Sequence, residues 1–224
     1  MSINNVYRFE RKFRSNLYDI KDLVSLVRSN CALFVESYPP RVVNSIYLDT
    51  TSYSFVQDNL AGISSRVKPR IRWYGDQQNK VSDGVLELKY KKNQLGRKDS
   101  YFFGPVVISK KDFRDQLSKT LISVCNENPK LRFLRELDPS LMTTYIRRYF
   151  ESADRKFRIT IDTDVRYWAF SAFGLRSTRP YIDHGLIILE LKYDQSTTGI
   201  EEVIKEFPFR FSRCSKYVTG ILST

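Results

Sequence analysis

Residues 66–73 alternate without a break between two kinds of side chain. Arg66, Lys68, Arg70 and Arg72 are interleaved with Val67, Pro69, Ile71 and Trp73. Successive side chains on a β-strand point to opposite faces. This stretch therefore predicts a strand with an apolar face for a core and an opposite face carrying four cations. Solvent faces of antiparallel strands usually mix signs, because like charges opposed across strands repel. Four like charges in a row are tolerable where a polyanion neutralises them. Arginine dominates the row, and its planar fork suits bidentate contact with phosphate oxygens.

The same period of two recurs along the chain. Candidate strands are Tyr7–Arg14, Val42–Asp49, Arg66–Tyr74, Gly84–Lys91, Asp99–Phe103, Thr143–Phe150, Phe157–Asp164 and Leu186–Tyr193. In the first, Arg8, Glu10, Lys12 and Arg14 share a face. In the fourth, Glu87, Lys89 and Lys91 align, and later Tyr145 aligns with Arg147, Arg158 with Thr160 and Asp162, and Glu190 with Lys192. Helical spacing appears at Asp19–Ser29, Ser109–Val124, Thr198–Phe207 and Ser212–Leu222. Ser109 and Asp112 form a capping-box-like opening to the second of these. Strands with helical inserts predict an α+β chain on a largely antiparallel sheet, as one domain over residues 1–224.

Charge narrows the partner. Lys and Arg total 37 against 25 Asp and Glu, a net charge of +12, which calls for an anion. Cys31, Cys125 and Cys214 form no metal-type pair, so zinc is not expected and reduced thiols are. The first residues lack a signal-peptide core, and no apolar run approaches the roughly 20 residues of a membrane span. The expectation is a cytoplasmic protein. His184 lies in the turn Asp183-His184-Gly185 and reads as a surface residue. Glu10, Glu87, Asp162 and Glu190 fall on the basic faces. They can orient lysines and arginines, or hold Mg²⁺ or Mn²⁺ together with phosphate oxygens.

These residues resemble a known family. Arg8-Phe9-Glu10-Arg11-Lys12 resembles the ExExK signature of the triphosphate tunnel metalloenzymes (the CYTH superfamily), with Arg8 in place of the first acid. That change is similar to the VTC branch, the polyphosphate polymerase domain. Further resemblances follow in order: Ser45-Ile46-Tyr47-Leu48-Asp49-Thr50, Arg70-Ile71-Arg72-Trp73-Tyr74, Leu86-Glu87-Leu88-Lys89, Tyr145-Ile146-Arg147, Arg158-Ile159-Thr160-Ile161-Asp162, Leu189-Glu190-Leu191-Lys192 and Arg213-Cys214-Ser215-Lys216-Tyr217.

The resemblance implies an eight-stranded antiparallel β-barrel, a triphosphate tunnel with flanking helices. It implies transfer of the γ-phosphate of ATP to a growing polyphosphate chain, with Mn²⁺ (or Mg²⁺) as cofactor. The metal ligand it carries over is Glu190, and Glu10 is a second candidate. It carries over Lys12, Arg70, Arg72, Lys89, Tyr145, Arg147, Arg158, Ser215 and Lys216 as phosphate ligands. Arg8 and Arg213 join these as phosphate-binding candidates, and Arg66, Lys68, Lys91 and Lys192 join from strand facing alone. Expected partners are ATP and inorganic polyphosphate, and nucleic acid is not expected. A separate membrane protein is a candidate docking partner.

Two alternatives stay open. A triphosphate or polyphosphate hydrolase on the same tunnel would use water as acceptor. The Arg8 substitution favours the polymerase, since hydrolases carry more acids for metal. A non-catalytic binder of polyphosphate, inositol phosphate or RNA would also be basic. RNA binding would call for aromatics on the cationic face, and Trp73 lies on the opposite one.

Overall fold

The computed structural model describes residues 7–16, 18–76, 80–108, 112–171, 174–175 and 179–224. Its strands are β1 (Arg8–Ser15), β2 (Val35–Asp49), β3 (Ser65–Tyr74), β4 (Lys80–Val81), β5 (Gly84–Lys92), β6 (Leu95–Phe103), β7 (Val106–Val107), β8 (Asp138–Glu151), β9 (Phe157–Ser171), β10 (Gly174–Leu175), β11 (Tyr181–Ile182) and β12 (Ile187–Asp194). Its helices are α1 (Ile20–Ser29), α2 (Ser54–Leu60), α3 (Phe113–Glu127), α4 (Ile200–Lys205) and α5 (Lys216–Ser223), with a 3₁₀ helix at Pro129–Glu136. All eight expected strands are present. α2 and the 3₁₀ helix were not expected. Ser109, the expected opening of α3, lies outside the described residues.

The main sheet runs β9-β12-β1-β6-β5-β3-β2-β8, and β8 pairs back onto β9. Every pairing is antiparallel, so eight strands form a ring. This is the tunnel fold expected above. The thinnest seam is β1–β6, where only Arg8↔Gly96 and Phe9↔Leu95 pair. Beyond it the segment leading into α5 lies along β1: Phe211 bridges Phe13, and Ser212 N donates to Lys12 O at 3.0 Å.

Two of the three buried apolar clusters lie outside the ring. Ile46, Leu48, Ile71, Trp73, Leu86 and Leu88 pack under α3 and the 3₁₀ helix. Phe13, Phe150, Ile159, Ile161, Leu189 and Leu191 pack under α1 and α4. The Asp19 carboxylate caps α1 by accepting from Lys21 N and Asp22 N. With the apolar faces turned outward onto helices, the alternate residues of each strand must face inward.

The third cluster lies on that inner face. Val43, Tyr47, Leu141 and Tyr145 alternate with Ser45 and Thr143, and α5 packs on them through Tyr217 and Val218. The Tyr217 hydroxyl donates to Asp49 Oδ2 at 2.6 Å and meets Ser140 Oγ at 2.9 Å. Asp49 also accepts from Phe55 N at 3.0 Å and Val56 N at 3.3 Å, so one buried carboxylate fixes both α2 and α5.

Candidate functional site

Register places the charged residues on one inner wall. Across β3–β5, Arg70 opposes Glu87, Lys68 opposes Lys89 and Arg66 opposes Lys91. Across β1–β12, Lys12 opposes Glu190 and Glu10 opposes Lys192. Across β8–β9, Arg147 opposes Asp162. Alternation thus converts into a tunnel lining, because every one of these positions has the parity of the inward face.

Each tunnel carboxylate is held by several cations. Glu87 takes Arg70 Nη2 at 2.7 Å, Lys98 Nζ at 2.7 Å and Arg72 Nη1 at 3.5 Å. Glu10 takes Lys89 Nζ at 2.5 Å and Lys12 Nζ at 3.2 Å. Glu190 lies 2.9 Å from Lys192, 3.3 Å from Lys12, 3.9 Å from Arg147 and 4.0 Å from Lys89. Asp162 pairs with Arg147 and is bonded by Lys216 Nζ. Lys68 Nζ donates to Ser215 Oγ at 2.8 Å, and that serine also caps α5 by accepting from Val218 N. Tyr145 lies beneath two cations, 4.5 Å from Lys216 Nζ and 5.2 Å from Arg147 Cζ, ring centroid to charge.

Eight cations (Lys12, Arg70, Arg72, Lys89, Lys98, Arg147, Lys192 and Lys216) meet four carboxylates (Glu10, Glu87, Asp162 and Glu190) in these contacts, and Lys68 joins them through Ser215. Nine cationic side chains against four acids is an excess of five. Proton affinities record the excess. Burial, then the nearby Lys12, Arg66 and Lys91 charges, pull the Lys68 ammonium down to about 7. Burial pulls Lys192 down to about 8, with Arg147 and Arg72 adding to it. Burial alone would raise Glu10, Glu87 and Asp162, but their cation partners outweigh it and hold all three below the usual carboxylate range. Burial would also raise Tyr145, yet Arg147 and Arg72 outweigh it and bring the phenol to about 8.

Most of the residues expected from the sequence converge here, and a few do not. Arg8 pairs with Asp194 at 2.8 Å and Arg158 with Glu151 at 3.1 Å, both half-exposed where their strands begin. Arg14 turns to Asp183 at 2.9 Å. Arg66, Lys91 and Arg213 gather at the Ser65 end of β3, where the Arg213 charge reaches both of the other two. Lys98 was missed. It lies one strand beyond the Glu87 row, and the alternation Lys98-Ser100-Phe102 on β6 was its only signal. His184 is exposed, as expected.

A divalent cation finds two candidate oxygen donors, since Glu10 and Glu190 both lie against Lys12. No group of three or more Asp, Glu, His or Cys converges among the described residues. Two carboxylates fit a cation that completes its shell with phosphate and water oxygens, and do not fit one held by protein alone.

Comparisons with known proteins agree with this geometry. The family model described as the VTC domain matches residues 7–224. Subunit 2 of the vacuolar transporter chaperone complex of Saccharomyces cerevisiae is 25% identical over 186 residues, covering 71% of this chain and 22% of that protein. The chain thus spans about a fifth of the length of that curated relative. In fold, a candidate adenylate cyclase from Vibrio parahaemolyticus superposes with a TM-score of 0.52 at 13% identity, over 96% of this chain and 98% of that one. No helix among the described residues is long and apolar enough to cross a membrane.

Proposed function

Because this chain belongs to the VTC domain family, we propose that it lengthens inorganic polyphosphate by taking the γ-phosphate of ATP inside the basic tunnel. The observation that carries this reading is the surplus of five cations over acids on one enclosed wall. That surplus is close to the charge of one bound triphosphate. It is unfavourable until an anion arrives, because like charges in a poorly solvated space repel.

Phosphoryl transfer rests on positioning and charge stabilisation, with little covalent chemistry for the protein. The terminal phosphate of the acceptor chain attacks the γ-phosphorus. A new P–O–P bridge forms, the bond from the γ-phosphorus to its bridging oxygen breaks, and ADP departs with that electron pair. Arg70, Arg72 and Arg147 present forks to the equatorial oxygens, where charge is carried in the transition state. Lys12, Lys89, Lys192 and Lys216 hold the neighbouring phosphates as point charges. Ser215 and Lys68 take the acceptor at the α5 end. Glu190 and Glu10 are the residues that would hold a divalent ion arriving with the nucleotide, Mn²⁺ or Mg²⁺. When bound, that ion would supply positive charge to neutralise the phosphates.

Phosphate is favoured over water as acceptor by one observation. The tunnel carboxylates are all held by cations, and three of them titrate below their usual range. Such groups are poor bases for activating water. A phosphate terminus is already ionised and needs no base. The yeast relative is named as a subunit of a complex, which keeps docking to a separate membrane protein within this reading.

The test is incubation with ATP and Mn²⁺, with polymer read on a gel and free phosphate measured in the same samples. The expected result is polymer exceeding free phosphate in the wild type, with both lost in Arg72→Ala. Free phosphate without polymer would replace this reading with the hydrolase.

A further inference from the structure

The tunnel face does not end at Arg72 and Arg147. The next position along β3 with the same parity is Tyr74, and the next along β8 is Tyr149. Arg41, opposite Arg147 on β2, is exposed and has no hydrogen bond or ion pair among the described residues. Its guanidinium instead lies against aromatic rings, 4.6 Å from the centroid of Tyr38 and 5.9 Å from those of Tyr74 and Tyr149. Tyr38 meets Tyr149 edge-on at 5.9 Å. On the other side Phe102 continues the row Arg72↔Val85↔Phe102 across β5 and β6. Tyr38, Tyr74 and Phe102 are 53%, 49% and 73% exposed.

An aromatic collar with one cation therefore stands directly outside the innermost arginines. The two are in electrostatic contact. Burial and then the Tyr74 hydroxyl push the Tyr149 phenol up, and Arg147 and Arg72 are near enough to oppose that rise. Tyrosine faces carry negative quadrupole charge and repel a phosphate. They accept a planar base, and so does a guanidinium plane. The chemistry at the opposite end of β3, about 26 Å away along the strand, is different: Arg66, Lys91 and Arg213 suit a phosphate chain. A single-stranded RNA would call for a succession of platforms along its backbone, whereas the collar is one platform followed by cations.

We propose that the collar of Tyr38, Arg41, Tyr74 and Tyr149 stacks the base of a nucleoside triphosphate whose phosphates lie on Arg72 and Arg147. This rests on the proposed use of ATP and sets its direction: base at the Tyr74 end of β3, acceptor polyphosphate at the Arg66 end.

The test compares ATP with tripolyphosphate, which has the phosphates and no base, by calorimetry at one salt concentration. Tyr74→Ala and Tyr38→Ala should each weaken ATP about tenfold and leave tripolyphosphate within about twofold. Tyr74→Phe should keep the wild-type ratio, since it retains the ring, and it shows that losses in Tyr74→Ala come from stacking. Equal weakening of both ligands, or no change in either, would overturn the collar while leaving the tunnel reading intact. Tighter binding of an oligoribonucleotide than of ATP would overturn it in favour of a strand. A wild type that binds neither ATP nor tripolyphosphate would remove the tunnel reading as well.

Discussion

Arg147 grips Asp162 through two parallel contacts, Nε to Oδ1 at 2.5 Å and Nη2 to Oδ2 at 2.7 Å, both side chains being buried. The pair presents the rest of the arginine fork to the tunnel in a fixed plane. It also ties β8 to β9 at the closure of the ring.

Removing one partner of such a pair leaves a buried charge without compensation, at a cost of roughly 3–5 kcal/mol. Asp162→Asn strands Arg147 and Lys216 together. The variant should lose about 3 kcal/mol in urea unfolding and recover much of it on addition of tripolyphosphate, which supplies the missing negative charge. A variant as stable as wild type, or one unmoved by the anion, would contradict this role.

The buried lysines predict a pH dependence. Lys68 titrates at about 7 in the folded chain, against about 10.4 when unfolded. Between those values the unfolded chain binds more protons, so stability rises with pH across the window and the full penalty applies below pH 7. Lys192, at about 8, acts in the same direction. Urea midpoints from pH 7 to 9.5 should rise in the wild type and rise less in Lys68→Met. Anion binding restores the protons, so calorimetry at pH 8.5 in buffers of different ionisation enthalpy should show uptake that Lys68→Met reduces. Proton release would reverse the assignment.

The period of two on eight segments was enough to read the strands, their inward faces and therefore the strand cations of the tunnel except Lys98; Lys216, on α5, came only from the family resemblance. What the sequence hid depends on closure. Arg8 and Arg158 have tunnel parity, but parity cannot reveal that they fall at strand ends, half-exposed beside Asp194 and Glu151. The expected strand began at Val42, whereas β2 begins at Val35 and accommodates Pro39 and Pro40 with register shifts at Glu36/Tyr38 and Tyr38/Arg41. Those shifts bring Tyr38 to Tyr149 and so build the collar. The short α2 was hidden because its entry uses a left-handed Tyr53, at φ 57°, and a remote carboxylate, Asp49.

Arg72 tests whether geometry or charge alone matters. Its Nε is buried with no hydrogen-bond partner, and its Nη1 reaches Glu87 only at 3.5 Å. Such a guanidinium has donors to spare for phosphate. Arg72→Lys keeps the charge and loses the fork, so ATP turnover should fall about 10–100-fold with little change in unfolding midpoint. Turnover matching the wild type would mean that a point charge suffices.

Gly220 sets the position of α5 within the ring. A Cβ there would lie 2.4 Å from Leu141 Cδ2 and 2.5 Å from Tyr167 Cδ1, both in the inner apolar cluster. Gly220→Ala therefore must push α5 away from β8 and β9, against the usual gain of alanine over glycine in a helix. Overpacking should win, costing about 1–3 kcal/mol of stability. The displacement would also reach the phosphate site, because Ser215 and Lys216 begin the same helix and bond Lys68 and Asp162. Tripolyphosphate affinity should then fall in Gly220→Ala together with the melting temperature, while Ile221→Ala, which removes volume from the same helix, should lower the melting temperature with a smaller effect on affinity. A Gly220→Ala variant more stable than wild type would show that α5 is free to shift, and that its N-terminus is not held against the tunnel by packing.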